Sequence, residues 1–258
     1  MTPFFEQVRR LQEEKSTVLC MGLDPRQHFL SEEDHQAENP LAAWGKRLLD
    51  EAGDYICCVK PNIAFYEAQG STGWQALKQT IAKAHDMGLP VLLDAKRGDI
   101  GSTAEAYAKG AFHELQADAI TLSPYLGRDS IDPFLRTPGR GMFVLCHTSN
   151  PSANDFQSLE INGRLLYEIV AERATQWSER VGLVVGATYP DAITRVRKAA
   201  PNAWLLLPGV GAQGADEKAA LAAAAHNMIV PVSRGIIAQP EPRKAAKMLR
   251  DKLNQALA

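Results

Sequence analysis

The feature that most constrains the fold is an alternation along the chain. Eight short runs rich in Val, Ile and Leu are separated by longer segments with helical periodicity. Apolarity within each run is continuous, which is typical of parallel strands whose two faces are both buried. The predicted strands are 17–23, 55–60, 90–95, 118–122, 141–146, 181–186, 203–208 and 227–232.

The segments between the strands predict helices. They cover 40–53, 71–87, 102–116, 160–178, 188–200, 215–225 and 240–257, with a weaker segment at 128–138 that contains two prolines. Eight strand–helix units without a break predict an α/β fold, a single (β/α)8 TIM barrel over residues 1–258. An open, doubly wound sheet is the alternative, but eight such units exceed its usual size. The polar stretch 147–160 is too long for a simple connector, which favours a functional loop.

Composition narrows the possible partners. The 258 residues carry a net charge of −2, so we expect no long-range attraction to nucleic acid or to an anionic membrane. No apolar run reaches the ~18 residues of a membrane span. The first fifteen residues mix acids and bases, unlike a signal or transit peptide.

The cysteines predict neither disulfides nor a metal site. Cys20, Cys57, Cys58 and Cys146 all lie in apolar runs, and none forms a C-x-x-C pair. We interpret them as reduced, buried thiols, which favours a cytoplasmic protein. The histidines are scattered without ligand spacing, and no metal is expected. His147 follows a strand, and we interpret it as hydrogen-bonded within its loop.

Charged residues at the carboxyl ends of the strands predict the active site, because TIM barrels place their chemistry there. These strand ends carry Asp24, Lys60, Asp94 and Lys96, with Asp99 just beyond. Lys60, Asp94, Lys96 and Asp99 can alternate in sign, which would offset their lost hydration. A purely structural ion-pair network is the alternative reading. Such networks are rarely placed at the ends of two neighbouring barrel strands.

The loops after the last two strands predict a phosphate site. Residues 208–214 read PGVGAQG, and the final strand leads into Ser233-Arg234-Gly235. Glycines let backbone N–H groups approach phosphate oxygens closely, and Arg234 can add a charge-assisted contact. A flexible turn is the alternative, but these two loops form the usual phosphate site of TIM barrels.

Together these residues resemble the orotidine 5′-phosphate decarboxylase family, in particular its bacterial type 2 branch. The motif Asp94-x-Lys96-x-x-Asp99 followed by Thr103 is similar to the family signature, within LLDAKRGDIGSTAEAYA. Further landmarks follow in the family's order and span residues 22 to 235: Gly22-Leu23-Asp24, Lys60-Pro61-Asn62, Ser149-Asn150-Pro151, the run at 208–214 and Ser233-Arg234-Gly235.

The resemblance implies cofactor-free decarboxylation of orotidine 5′-monophosphate (OMP) to UMP and CO2, in de novo pyrimidine biosynthesis. Lys96 would stabilise and protonate the C6 carbanion, and Asp94 would crowd the substrate carboxylate. Lys60 would hold these two in register and bind the ribose together with Asp24. Ser149 would read the pyrimidine, and Gln213, Arg234 and neighbouring backbone N–H groups would bind the phosphate. Pro208, Ser233 and Gly235 would also belong to the substrate-binding site.

The resemblance also implies a homodimer with shared active sites. Asp99 and Thr103 would reach the ribose in the neighbouring subunit, and Ile100 would line the pocket near the pyrimidine. A magnesium-dependent sugar-phosphate decarboxylase or synthase of the same suprafamily is one alternative. Such enzymes usually have an acidic residue at the end of strand 2, where Lys60 would repel a cation. A non-catalytic nucleotide-binding barrel is the other, but it would not require Asp94, Lys96 and Asp99 together.

Overall fold

Parallel strands form the wall of a barrel in the computed structural model, which describes residues 2–210 and 216–257. The barrel strands in this part of the chain are β1 (Leu19–Leu23), β2 (Cys58–Pro61), β3 (Leu92–Arg97), β4 (Ala119–Leu122), β5 (Gly141–His147), β6 (Val181–Val185), β7 (Leu205–Leu206) and β8 (Met228–Val232). They pair in the order β2-β1-β8-β7-β6-β5-β4-β3. Two isolated parallel bridges, Val59 to Val91 and Asn62 to Asp94, join the outermost strands β2 and β3. The predicted (β/α)8 barrel is therefore confirmed.

Helices cover the outer face of the barrel, and side chains from the strands fill its interior, so all five residues of β1, β6 and β8 are buried. The helices of the described residues are α1 (Phe4–Lys15), α2 (Glu32–Gln36), α3 (Pro40–Ala52), α4 (Ile63–Glu67), α5 (Gly70–Asp86), α6 (Gly101–Lys109), α7 (Asp132–Leu135), α8 (Leu166–Trp177), α9 (Pro190–Ala199), α10 (Glu217–Ala224), α11 (Arg234–Ile237) and α12 (Pro242–Leu257). Within residues 2–210 and 216–257, none of them is long and apolar enough to cross a membrane.

The N-terminal helix α1 packs beside the amino ends of the strands, although the charge pattern of this segment did not predict a helix. Phe4 and Val8 are buried, and the Phe4 N–H donates to Gly139 O at 2.9 Å. The ring of Phe5 stacks on Trp204, just before β7, with centroids 5.1 Å apart. The side chains of α1 therefore help to fill the end of the barrel opposite the predicted site.

The helix predicted at 160–178 begins only at residue 166, so that prediction was wrong at its start. Glu160–Ile161 instead pairs antiparallel with Arg164–Leu165 as a small hairpin. Asn162 and Gly163, with φ of 52° and 77°, form its turn. An Asn-Gly pair is the strongest short-range hairpin signal, because both residues tolerate positive φ. Glu168 then accepts from the Leu165 N–H at 2.8 Å and caps the start of α8.

Candidate active site

Three predicted charged residues meet at the carboxyl ends of β2 and β3. Lys60 Nζ lies 2.7 Å from Asp94 Oδ2, and Lys96 Nζ lies 2.5 Å from Asp94 Oδ1. The Lys60 and Asp94 side chains are 11% and 10% exposed, whereas that of Lys96 is 49% exposed. One carboxylate is therefore held between two ammonium groups, of which one is buried and the other faces the mouth of the barrel.

In this cluster, neighbouring charges of opposite sign shift the pKa values of Asp94 and Lys60 so that the charged forms are favoured. Burial alone would raise the pKa of Asp94, but the nearby charges of Lys60 and Lys96 lower that pKa from 3.8 to about 2. Burial likewise opposes the charge on Lys60, yet Asp94 and Asp24 outweigh it and raise the pKa of Lys60. At neutral pH the site therefore presents the ionised carboxylate of Asp94 beside the charged ammonium of Lys60.

A shift in strand register shapes the segment of β3 that carries Lys96. Leu93 pairs with Ile120 and Arg97 pairs with Leu122, so three residues of β3 face the single residue Thr121 on β4. Lys96 has a φ of 47°, a left-handed conformation that costs a non-glycine residue on the order of 1–3 kcal/mol. Sequence reasoning missed Thr121, because a threonine in an apolar strand resembles any core position. Only the register shift marks it.

Asp99 does not join the cluster within its own chain. Its Oδ1 accepts from the Ile100 N–H at 2.8 Å, and the described residues provide no salt bridge for it. Ile100 is 57% exposed, and Thr103 lies exposed in the first turn of α6. Of the four charged residues predicted to alternate, three therefore form an array within one chain, and Asp99 is not part of it. Asp99, Ile100 and Thr103 lie together on a neighbouring exposed segment.

The predicted phosphate-binding residues lie at the ends of β7 and β8. Pro208 follows β7, whereas Gln213 lies outside the described residues. Arg234 and Gly235 are exposed at the start of α11, and Arg234 forms no salt bridge with any described carboxylate. Ser233 packs against β1, where a Cβ on Gly22 would lie 2.9 Å from Ser233 Cβ.

Buried polar atoms without partners also occur around the mouth. Asp24 Oδ1 and Ser233 Oγ are buried and have no hydrogen-bond partner among the described residues. Native proteins rarely leave such atoms unpaired, and a polar ligand would satisfy them. Ser149 is exposed and lies directly over Gly186, where a Cβ would be 3.0 Å from Ser149 N and Cα. The absence of a side chain at residue 186 therefore sets the position of Ser149.

His147 and Asn62 have structural surroundings. The His147 ring packs edge-on against Tyr167 and Tyr189, at centroid distances of 4.8 and 4.9 Å. Its Nδ1 has no hydrogen-bond partner among the described residues, and burial lowers its pKa. Aromatic packing therefore replaces the predicted loop hydrogen bond through that atom. Asn62 accepts from the Ala64 N–H at 3.2 Å and caps α4.

The cysteines and potential metal ligands complete this description. All four cysteines are buried and free of disulfides. In the described part of the chain, no group of three or more His, Cys, Asp or Glu side chains is arranged to hold a metal ion.

Comparisons with known proteins indicate the family to which the chain belongs. Residues 17–249 match the family model described as orotidine 5′-phosphate decarboxylase / HUMPS family. The orotidine 5′-phosphate decarboxylase of Roseiflexus castenholzii is 45% identical over 269 residues, covering 98% of each protein. That of Halobacterium salinarum is 44% identical over 268 residues and likewise covers 98% of each.

Solved structures give the same relationship. The OMP decarboxylase of Leishmania donovani superposes with a TM-score of 0.88 at 44% identity, covering 99% of each chain. The UMP synthase of the same organism has a TM-score of 0.90 at 45% identity. All of the present chain matches it, spanning 57% of that longer protein. The chain therefore belongs to the orotidine 5′-phosphate decarboxylase / HUMPS family, as an enzyme of the carboxy-lyase class.

Proposed function

We propose that this enzyme decarboxylates OMP to UMP and CO2 in de novo pyrimidine biosynthesis, without a metal or an organic cofactor. The observation that carries the proposal is the array of Lys60, Asp94 and Lys96 at the mouth of the barrel. Relatives that share nearly the whole length of this chain are named for that reaction. The chemistry required is charge stabilisation at one carbon, and the array supplies it.

Lys96 is the proton donor in this proposal. As the bond between C6 and the carboxylate breaks, CO2 leaves and the electron pair stays on C6. That carbanion cannot delocalise simply into the ring, so a fixed ammonium is the available means of stabilising it. Lys96 Nζ then transfers its proton to C6 and regains one from solvent. Its contact with Asp94 holds the ammonium in place before the substrate arrives.

Asp94 contributes by its fixed negative charge. With a pKa of about 2 it is ionised at any physiological pH. Beside the carboxylate of bound OMP, that charge disfavours the ground state more than a transition state in which the carboxylate charge is being lost. Lys60 orients Asp94 by donating a hydrogen bond to its Oδ2. Lys60 also interacts with Asp24, which would accept hydrogen bonds from the ribose.

The remaining residues bind the parts of the nucleotide that do not react. Ser149 would contact the pyrimidine from the loop after β5. Pro208, Gln213, Ser233, Arg234 and Gly235 would surround the 5′-phosphate. Arg234 supports this assignment because it is exposed and makes no salt bridge with a described carboxylate, so it can accept an anion. Phosphate binding far from the scissile bond can be used to stabilise the transition state.

We further propose a homodimer in which each active site borrows Asp99, Ile100 and Thr103 from the other subunit. These residues extend from the subunit as an exposed segment. Exposed apolar side chains also occur on α6 and in the loop after β4, where Tyr125 is 85% exposed and Leu126 is 46% exposed. Exposed apolar groups of this kind are typical of protein–protein contacts.

We place the enzyme in the cytoplasm, without nucleic-acid or membrane partners. Its buried free thiols are consistent with a reducing compartment, and its net charge of −2 does not favour anionic surfaces.

The decisive experiment follows the fall in ultraviolet absorbance as OMP is consumed, with and without a chelator. We expect wild-type turnover to survive chelation. Lys96→Ala should abolish turnover yet still bind UMP, and Lys198→Ala, on the exposed face of α9, should behave as wild type. Binding of UMP without CO2 release by the wild type would favour the non-catalytic barrel. Loss of activity with the chelator would favour the magnesium-dependent alternative.

A further inference from the structure

We propose that Thr121 is a positioning residue for the reaction, and that its hydroxyl holds Asp94 and Lys96 in their working geometry. This inference rests on the function proposed above for those two residues. Thr121 lies in β4, is 1% exposed and contacts the array from the neighbouring strand. It would act through Asp94 and Lys96, without touching the substrate.

The first observation is the irregular pairing of β3 with β4. Asp94, Ala95 and Lys96 stand opposite Thr121 alone, so the backbone groups of this segment lack a regular ladder of partners on β4. Irregular strand pairing of this kind re-aims side chains and is common beside active sites. Here it accompanies the left-handed conformation of Lys96, a residue type that rarely adopts positive φ.

The second observation is how the Thr121 hydroxyl replaces that ladder. Its oxygen accepts from the Ala95 N–H at 3.0 Å and from the Lys96 N–H at 2.9 Å. Since a hydroxyl has two acceptor lone pairs and one proton, these bonds occupy both lone pairs. The proton is directed to Asp94 Oδ1, 3.1 Å away. The hydroxyl therefore makes its full set of hydrogen bonds, all of them to the active-site segment.

The third observation is that the Thr121 hydroxyl and the Lys96 ammonium group donate to the same oxygen of the Asp94 carboxylate. Asp94 Oδ1 receives both Thr121 Oγ1 and Lys96 Nζ, while Oδ2 receives Lys60. One hydroxyl thus fixes the backbone on which Lys96 is carried and the carboxylate against which its ammonium rests. Without it, two backbone N–H groups lose their acceptor, and the strained backbone at Lys96 is free to relax.

The expected loss is in the chemical step. Misplacing a reacting group by about 1 Å can cost about 100-fold in rate. We therefore expect Thr121→Val, which keeps the shape and removes the hydroxyl, to lower kcat for OMP by roughly 10- to 100-fold. UMP affinity should stay within about threefold of wild type, because the predicted phosphate contacts, and the ribose contacts of Asp24 and Lys60, lie on other strands. Thr121→Ser should restore most of the activity.

A matched control separates positioning from general destabilisation. Thr17 is 3% exposed, and its hydroxyl donates to Tyr55 O at 2.9 Å and accepts from the Leu19 N–H at 3.1 Å. It precedes β1, at the opposite end of the barrel from the site. We expect Thr17→Val to lower Tm while leaving kcat near that of wild type. Thr121→Cys is a second test variant if Thr121→Val does not fold, because a thiol is a weak acceptor. It should lower kcat while Thr121→Ser does not.

The proposal is overturned if Thr121→Val, or Thr121→Cys in its place, retains wild-type kcat. It is also overturned if Thr121→Ser is no better than the variant lacking the hydroxyl, or if UMP affinity falls in proportion to kcat. These outcomes are distinct from failure of the proposed function. In that case the wild type itself would not decarboxylate OMP, or Lys96→Ala would remain active.

Discussion

Replacing Lys60 with methionine tests the energetics on which the active-site array depends. Methionine keeps most of the side-chain volume but removes the charge 2.7 Å from Asp94. At an effective dielectric constant of ~20, that contact corresponds to about 6 kcal/mol of Coulomb attraction before desolvation is subtracted. The carboxylate would remain buried, with only the half-exposed Lys96 to compensate it. Removing one partner of a buried pair typically costs about 3–5 kcal/mol, and we expect a loss in that range.

The assay is urea unfolding at pH 7 and one fixed protein concentration, with a double-mutant cycle between Lys60→Met and Asp94→Asn. Because the double variant leaves no unpaired buried charge between these two positions, its cost should fall below the sum of the single costs by at least ~2 kcal/mol. Lys83→Met is the matched control. Its ammonium lies 2.5 Å from Asp50, but the two side chains are 29% and 59% exposed. An exposed pair should contribute less than about 1 kcal/mol.

Two results would refute this reasoning. The first is a loss for Lys60→Met that is no larger than the loss for Lys83→Met. The second is a cycle that is additive within about 0.5 kcal/mol. Either would mean that Lys60 and Asp94 do not compensate each other's burial as their geometry indicates.

Three further predictions concern stability at acidic pH, binding of the substrate phosphate and positioning of the residue that would contact the pyrimidine. Because the pKa of Asp94 drops from 3.8 in the unfolded chain to about 2 in the fold, its ionisation contributes roughly 2 kcal/mol above pH ~5, lost as the pH falls through 2. Urea unfolding should therefore show the wild type losing about that much more stability than Asp94→Asn between pH 6 and pH 2. Arg234→Ala should weaken OMP binding strongly, and phosphite should partly restore turnover of the truncated nucleoside by the wild type but not by this variant; steady-state kinetics showing equal phosphite rescue of both enzymes would argue against Arg234 as the phosphate ligand. Gly186→Ala should raise KM for OMP by displacing Ser149, whereas Gly110→Ala, with no atom within 4 Å of the new Cβ, should leave KM unchanged.

Much of the fold could be predicted from the sequence, because burial on both faces leaves a continuous apolar run wherever a parallel strand occurs. Strand ends were less predictable. The run at 203–208 forms a regular ladder only at Leu205–Leu206, although the flanking residues Trp204 and Leu207 are buried and also hydrogen-bond to neighbouring strands. Sequence reasoning missed the hairpin before α8, although the Asn162-Gly163 pair is a hairpin signal. The reason is that the surrounding apolar residues also fit a helical period.

The candidate site divides in the same way. From the sequence alone, Lys60, Asp94 and Lys96 can be placed at the carboxyl ends of neighbouring strands, which the barrel rule brings together. Only the folded structure shows that the alternation stops at three charges in one chain and that Asp99 lies outside this cluster. It also shows the hydrogen bonds of Thr121 to this segment, a residue that sequence patterning cannot distinguish from a core residue. Periodicity and propensity are local properties, whereas the register between β3 and β4 depends on how two separate segments pair.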